Sequence, residues 1–536
     1  MEVNKRIKTV IISIYFVIAA LLFYGCGIKP VQSDIKTLKE AFLNPPDSAR
    51  PGVYWYFMDG NLSKDGMTKD LESMEKAGIG NVIFLEVNVG IPRGPVDFLS
   101  NQWQELFKHA VSECERLGIR MTLGIGPGWT GSGGPWVSPD QSMQHLVSSS
   151  IQVSGNEKLK IKLPLPKPKK PYFGEGSFTP ELKKQWNDFY EDVAVLAFPT
   201  PAINSKIEDI DEKALYYRAP YSSKPGVKPF LPSLIHYPHL PDDATISKSR
   251  ILDLTDKLLP DGTLNWAVPE GNWTIMRFGR RNNNGAVTRP APVQGLGFES
   301  DKFDTVALNA HLDKYVGSIL RNIGTVDTAN FGGLKMLHMD SWEMGSQNWT
   351  PKFRQEFIKR RGYDPLPFYP VYAGNIVESW EVSERFLWDL RQTSQELVLA
   401  YHAGQVKKYA HRYGLGLSIE PYDMNPTADL ELGSVADIPM CEFWSKGYGF
   451  NSSFSCIEAT SIAHINGIPI VQAEAFTADG SEAWKQYPGS MKNQGDWAFA
   501  AGINRFFYHT FEHKPLADSL RPVSYTHLTL PTNREV

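Results

Sequence analysis

Cysteine is scarce in this 536-residue chain, and positive charge is not in excess. The chain has 4 cysteines, and its 55 Lys and Arg residues face 59 Asp and Glu residues, for a formal net charge of −4. Cys114, Cys441 and Cys456 lack the spacing of metal ligands, which predicts core or stray thiols and no disulfide framework. Phosphate binding needs clustered Lys and Arg, so no nucleic-acid partner is expected.

Two common signatures of nucleotide and zinc enzymes are also missing. The chain contains no P-loop and no His-Glu-x-x-His motif. A glycine-rich stretch over residues 126–136 lacks the spacing of a dinucleotide fingerprint. Its two tryptophans, Trp129 and Trp136, favour a rigid loop that faces a sugar, while a structural crossover into the next segment explains the stretch about equally well.

The apolar run at the N-terminus is too short for a typical membrane span. Basic residues within positions 5–8 precede an almost wholly apolar run over residues 10–23, which is typical of a signal peptide. The run ends in Leu-Phe-Tyr-Gly-Cys, which resembles a bacterial lipobox, so residues 1–26 are the expected lipoprotein signal peptide and Cys26 the acylated residue. We expect an exported protein, a periplasmic or outer-membrane lipoprotein of a Gram-negative bacterium, that meets the membrane only through this lipid. Ordinary cleavage, or retention of the run as an anchor, is the alternative.

Strand-like and helix-like stretches alternate from Gly52 onward, which predicts a parallel α/β architecture. The best fit is a (β/α)8 TIM-like barrel with an inserted β-rich domain. The strand candidates are residues 53–57, 81–87, 119–125, 334–340, 415–419, 438–442, 468–473 and 503–508. The predicted divisions are a first barrel part over 45–149, a β-rich insertion over 150–281, a second barrel part over 282–522 and a non-native tail over 523–536.

Carboxylates stand at or just past most of these strands, where a barrel places its active site. They are Glu86, Asp340, Glu343, Glu420, Asp423, Glu442 and Glu474. Each alone could be a solvated loop residue or a helix N-cap, but their recurrence at one end of successive strands favours a shared site. Glycosidic cleavage needs one protonated and one ionised carboxyl, and further acids would accept sugar hydroxyls or hold a hard cation. The tryptophans near these loops, which suit sugar stacking, are Trp342, Trp349, Trp444 and Trp484.

Several stretches together resemble glycoside hydrolase family 106. They are residues 52–58 (GVYWYFM), 126–136, 339–343 (MDSWE), 473–475 (AEA) and 507–511 (FYHTF). The resemblance implies α-L-rhamnosidase activity, a (β/α)8 barrel with inserted and appended β domains, calcium dependence and an inverting mechanism with two glutamates. Carried over by motif, Glu343 would be the general acid and Glu474 the general base. The family's downstream β domains are missing, so we expect a C-terminally truncated chain.

The predicted activity is removal of terminal α-L-rhamnosyl residues from an oligo- or polysaccharide. Ca²⁺ is the cofactor implied by the resemblance, with Glu442 as its expected ligand. The expected substrate contacts are Glu86, Trp129, Asp340, Trp342, Glu420 and Trp444. Two alternatives stay open: a retaining barrel glycosidase of other specificity and a non-catalytic glycan-binding lipoprotein. Carboxyl groups about 5–5.5 Å apart would indicate retention, and about 6.5–9.5 Å inversion.

Overall fold

The computed structural model describes residues 35–129, 131–156, 158–170, 178–217, 237, 239–283, 287–422, 427–445, 452–478, 482 and 485–514. The predicted signal peptide with Cys26 and the predicted tail over 523–536 lie outside these residues, as do Asp423 and Trp484. No helix in the described ranges combines the length and the hydropathy needed to cross a membrane.

The chain divides into two compact units, Met1–Arg50 and Pro51–Val536. The described part of the first unit holds the helix Ile35–Leu43 and the short 3-10 turn Asp47–Ala49. All the elements discussed below belong to the second unit.

Eight parallel strands close into a barrel, as predicted, with each strand paired to the next in the chain and the eighth paired to the first. In chain order they are Gly52–Met58, Asn81–Val87, Arg120–Gly124, Gly333–Met339, Gly416–Ile419, Ile438–Trp444, Gln472–Thr477 and Arg505–Glu512. The first two strands are buried at every position, because helices cover one face and the barrel interior the other. The last three strands extend two to four residues beyond their predicted ends.

Helices surround this barrel, and their termini carry ordinary capping signals. Ser100 Oγ accepts a hydrogen bond from the amide of Trp103 at the start of the helix Asn101–Leu117, and Gly118 ends it in the left-handed conformation at φ 67°. The described helices are Lys64–Lys76, Asn101–Leu117, Pro180–Asp188, Ile210–Lys213, Thr305–Lys314, Val316–Ile323, Phe353–Arg361, Trp380–Leu397, Gly404–Arg412, Asp429–Val435, Ser452–Asn466 and Pro488–Ala500.

An antiparallel sheet lies in the segment between the third and fourth barrel strands. Its strands, in spatial order, are Gln144–Ser154, Asn272–Asn282, Glu191–Pro199 and Leu252–Asp253; Lys158–Lys162 pairs separately with Thr263–Ala267. The sheet begins before the predicted boundary at residue 150. It shares one hydrophobic cluster with the long helix Trp380–Leu397, and Pro51–Val536 form a single compact unit, so the structure does not set this segment apart as a separate domain.

The helical stretch over residues 380–412 is interrupted. Trp380–Leu397 and Gly404–Arg412 are α-helical, but Val398–Ala403 between them forms a π-helical turn. Such a turn adds a residue to the helix and re-aims the side chains that it carries. The turn buries His402 completely.

The alternation of side chains along the barrel strands decides which residues face the interior. On the first strand Tyr54, Tyr56 and Met58 belong to the interior cluster, together with Ile83 and Leu85 of the second strand. The intervening residues pack outward in the cluster formed with the helices.

Glu86 follows the outward pattern of its strand, so the structure does not support its predicted role as a substrate contact. Its neighbour Phe84 lies in the outer cluster, whereas Leu85 and Val87 lie in the inner one. Glu86 is 3% exposed, and its carboxylate accepts hydrogen bonds from Trp103 Nε1 at 2.5 Å and from the Gly60 amide at 2.8 Å. Glu86 therefore joins a strand to a helix behind the barrel wall.

Removal of the Glu86 carboxylate should destabilise the fold. Glu86→Ala leaves two buried N–H donors without their acceptor, and each such donor costs about 1–3 kcal/mol. We expect the free energy of unfolding, measured with urea, to fall by about 2–6 kcal/mol, the sum of those two costs. Glu105→Ala, on the exposed side of the same helix, is the control and should change it little. A stable Glu86→Ala protein would contradict the structural role.

Candidate active site

Glu442 and Glu474 lie side by side inside the barrel. They are paired in register on the sixth and seventh strands. Their neighbours Cys441, Ala473 and Ala475 pack outward against the helices, so both carboxylates point into the interior. The sequence had suggested that the two glutamates follow their strands. They lie within the strands, because both strands extend farther than predicted.

Glu420 follows the fifth strand and is held across the barrel by two tyrosines. Its Oε1 accepts a hydrogen bond from the hydroxyl of Tyr54, on the first strand, at 2.9 Å, and its Oε2 accepts one from Tyr422 at 2.8 Å. Glu420 is 2% exposed. Tyr54 therefore links opposite sides of the barrel through a buried carboxylate.

Asp340 joins the same network from the end of the fourth strand. The Tyr54 hydroxyl also lies 3.4 Å from Asp340 Oδ2, and Nε2 of His338 lies 3.2 Å from that oxygen. The Ser341 amide donates to the other carboxylate oxygen at 2.8 Å. The carboxylates of Asp340 and Glu420 thus share one hydroxyl donor.

The crowding of these acids disfavours their charged forms. Burial, followed by the neighbouring carboxylates, raises the pKa of Glu474 and that of Glu420 well above the usual range. Loss of contact with water and the charge of Asp340 raise the pKa of Glu442 to about 7, although hydrogen bonds from Tyr422 and Trp444 oppose this shift. The interior therefore favours protons or a cation beside these carboxylates.

One further side chain orients Glu474, and a second lies close to it. Thr477 Oγ1 donates a hydrogen bond to Glu474 Oε1 at 2.5 Å, and His509 Nε2 lies 4.0 Å from the same oxygen. Neither residue was predicted from the sequence, and neither were the roles of Tyr54, His338 and Tyr422. Tyr54 could have been found, because the alternation along the first strand turns it inward beside the other acids.

Glu343 occupies the segment that follows the fourth strand. It is half-buried, and Ser341 Oγ donates to its Oε1 at 3.3 Å. The same segment places Asp340 in the interior cluster. Glu343 therefore stands just beyond the strand end, whereas Glu474 is part of the barrel wall.

The predicted tryptophans divide into two groups. Trp129 is half-buried, with its ring 6.2 Å from that of Tyr56, and Trp444 is half-buried and hydrogen bonds to Glu442. Trp342 is 3% exposed, packs in a hydrophobic cluster and donates from Nε1 to the Gly345 carbonyl at 2.8 Å. Almost no surface of this side chain is open, so the structure does not support its predicted role as a sugar contact. Trp349 is equally buried.

Three side chains near the mouth could hold a metal ion together. One ligand atom each from His338, Asp340 and Glu420 lies within 4.8 Å of the others. Glu442, the expected calcium ligand, is not part of this trio, but its carboxylate interacts with Asp340. The donor set is rich in carboxylate oxygen, as hard divalent cations prefer.

A cluster of buried carboxylates at the mouth of a parallel (β/α)8 barrel is the arrangement of a glycoside hydrolase. The chain belongs to glycoside hydrolase family 106, described as alpha-L-rhamnosidase, whose family model matches residues 43–535. This confirms the predicted family.

Two known proteins are similar to this chain. A protein from Formosa agariphila named "Putative beta-glucuronidase" is 38% identical over 492 residues, which are 92% of this chain and 39% of that protein. The solved rhamnosidase from Novosphingobium sp. PP1Y superimposes on this chain with a TM-score of 0.72 at 28% sequence identity. The match covers 89% of this chain and 56% of the rhamnosidase chain. The chain thus spans about two fifths to somewhat more than half the length of these relatives.

The raised pKa of Glu442 predicts that stability depends on pH. A carboxyl whose pKa rises on folding binds its proton more tightly in the folded state, so stability decreases as pH rises from the unfolded value of 4.5 to about 7. Without divalent cations, the midpoint of thermal unfolding should fall over this range. Glutamine cannot ionise, so the midpoint of Glu442→Gln should fall over the same range by at least about 2 °C less than that of the wild type.

Glu105→Gln, which removes an exposed carboxylate, is the matched control and should keep the wild-type dependence. Identical pH profiles for the wild type and Glu442→Gln would contradict the assigned electrostatics.

Proposed function

We propose that this protein cleaves terminal α-L-rhamnosyl residues from complex glycans with inversion, using Glu343 as general acid and Glu474 as general base. The observation that carries the proposal is the buried carboxylate cluster inside the barrel, with Glu474 paired in register beside Glu442. The family description and the solved rhamnosidase support the sugar specificity.

The two glutamates have surroundings that suit different tasks. Glu343 lies on the segment beyond the fourth strand, where it can donate a proton to a leaving oxygen at the mouth. Glu474 is fixed by Thr477 on the barrel wall, where a water molecule could be held against the anomeric carbon. In an inverting enzyme these tasks fall on opposite faces of the sugar ring.

The base must be ionised, yet burial and neighbouring acids raise the pKa of Glu474. We propose that a bound calcium ion supplies the positive charge that favours the ionised carboxylates. Asp340 and Glu420 are its proposed ligands, joined by Glu442, because their oxygens fit the preferences of calcium. His338, a nitrogen donor, is better suited to orienting Asp340.

Trp129 and Trp444 are the proposed aromatic contacts of the sugar. Both are half-buried and lie beside interior residues, Trp129 against Tyr56 and Trp444 against Glu442. Asp340 and Glu420 would accept hydrogen bonds from hydroxyl groups of the substrate and would also ligate the ion.

The relative named as a beta-glucuronidase makes another specificity the second candidate. The same cluster could serve a retaining mechanism, in which Glu474 attacks the anomeric carbon itself. A panel of aryl glycosides that includes α-L-rhamnoside and β-D-glucuronide separates the specificities. Hydrolysis of the glucuronide alone would overturn the proposed substrate.

The two glutamates should differ in their dependence on the leaving group. Glu343→Gln should slow substrates with poor leaving groups by about 100-fold or more and aryl glycosides with good ones far less, because a good leaving group needs no proton. Glu474→Gln should slow both alike, since attack on the anomeric carbon is common to them. The measurement is kcat/KM for both substrate types.

Asp70→Asn, a buried acid outside the barrel interior, is the control and should not create a leaving-group preference. A leaving-group preference in Glu474→Gln but not in Glu343→Gln would reverse the roles. Full activity in both variants would show that neither glutamate is catalytic. The configuration of the first-formed sugar, followed by proton NMR, separates inversion from retention.

Removal of calcium should lower both activity and stability. Treatment with EDTA is expected to reduce turnover, and added Ca²⁺ should restore it and raise the midpoint of thermal unfolding. Asp340→Asn should abolish this rise, whereas Asp70→Asn should keep it. Activity indifferent to EDTA, with no metal found by elemental analysis, would contradict the calcium site.

A further inference from the structure

A second group of buried charges lies behind the active-site loops. Glu299 and Lys302 form an ion pair with 0% of either side chain exposed. Lys302 Nζ donates to Glu299 Oε2 at 2.8 Å and to the Ser132 hydroxyl and carbonyl at 2.8 and 3.1 Å. The Ser132 amide also donates to Glu299 Oε2 at 2.9 Å. Ser132 belongs to the glycine-rich loop after the third strand, so this pair fastens that loop.

Ser132 passes the contact on to His402. An ammonium group only donates, so the Ser132 hydroxyl oxygen accepts from Lys302, and the same hydroxyl shares a hydrogen bond of 2.9 Å with His402 Nε2, whose donor depends on the tautomer of the ring. His402 Nδ1 has no hydrogen-bond partner among the described residues. Burial, helped by the charge of Lys302, lowers the pKa of His402 well below its usual range, so the ring stays neutral. Its one assigned polar contact in the described part of the chain is Ser132.

His402 in turn supports the segment that carries Glu343. Its ring lies edge-on to Trp342 with centroids 5.9 Å apart, and Trp342 Nε1 holds the Gly345 carbonyl at 2.8 Å. Trp342 and Gly345 therefore bracket Glu343 in the sequence. On the other side, a Cβ added to Gly131 would lie 2.4 Å from Met344 Sδ, so the glycine-rich loop packs directly on this segment.

We propose that His402 is a positioning residue that fixes the direction of Glu343 through Trp342. The inference rests on the proposed role of Glu343 as the acid. The π-helical turn Val398–Ala403 delivers the imidazole to this place in an otherwise α-helical stretch, and such turns are frequent at functional sites.

Stability alone gives little reason for this arrangement. A buried ion pair often contributes no more to folding than well-packed apolar side chains of the same volume. What Lys302, Ser132 and His402 add is direction, because each hydrogen bond fixes one group relative to the next. A catalytic acid needs that precision, since a misplacement of about 1 Å can cost about 100-fold in rate.

The test compares His402→Phe with His402→Gln. Phenylalanine keeps an aromatic ring against Trp342 but cannot hydrogen bond to Ser132, whereas the glutamine amide can both donate and accept. We expect His402→Phe to slow the hydrolysis of substrates with poor leaving groups by about 10- to 100-fold, and of substrates with good ones far less. The basic limb of the pH profile of kcat/KM, which follows deprotonation of the acid, should shift. His402→Gln should recover much of the loss.

Two controls separate positioning from stability. Ile319→Ala creates a cavity in the hydrophobic core outside the barrel wall. It should lower the midpoint of thermal unfolding without creating a leaving-group preference. If His402→Phe fails to fold, Ser132→Ala removes the same hydrogen bond with a smaller change and should show the same preference. An equal loss on both substrate types in these variants would overturn the proposal.

A double-mutant cycle distinguishes failure of this inference from failure of the proposed function. In the Glu343→Gln background His402→Phe should have no further effect on poor leaving groups, because the residue acts through the acid. An additive effect there would overturn the positioning role. If Glu343→Gln itself shows no leaving-group preference, then the proposed acid is wrong, whatever His402 does.

Discussion

The structure depends most on the gathering of several carboxylates inside a closed barrel. Asp340, Glu420, Glu442 and Glu474 converge from four successive strands, and their burial raises the pKa of Glu420, Glu442 and Glu474. Like charges in low dielectric cannot all ionise without compensation. Hydroxyl groups from Tyr54 and Tyr422 supply part of it. The remaining electrostatic stress is a reason for the chain to bind protons or a cation at this place.

The support for this cluster differs from one acid to the next. Glu442 and Glu474 are set by strand register, so their side chains are as well placed as the barrel itself. Glu343 has no strand to hold it and depends on packing behind its loop, where Trp342, His402 and Ser132 lie. Rigid backbone therefore fixes one catalytic candidate, while a chain of buried side chains fixes the other.

The sequence predicted the barrel and most of its acids, because apolar strands and terminal carboxylates are local patterns. It could not assign the faces reliably. Glu86 and Glu474 both end apolar runs, yet the first points outward to Trp103 and the second inward to Thr477. The ends of the last three strands were predicted two to four residues too early, which placed Glu474 after its strand and not within it. The second strand has its predicted bounds, and only the packing of its neighbours shows that Glu86 points outward. The predicted role of Trp342 lacks support for a different reason, since only tertiary packing shows that its ring is covered.

Glu474 and Glu343 differ in how easily substitutions elsewhere in the chain can move them. Substitutions that keep the strand register leave Glu474 in place, because neighbouring strands on both sides define its position. The segment of Glu343 is instead held by contacts from the glycine-rich loop, from the Glu299–Lys302 pair and from the π-helical turn, which are far apart in sequence. A change in any of them can redirect the proposed acid without touching the sugar. In the proposed mechanism Glu343 acts on the departing group and Glu474 on the barrel wall positions the attack, so leaving-group preference should vary more readily than the configuration of the product.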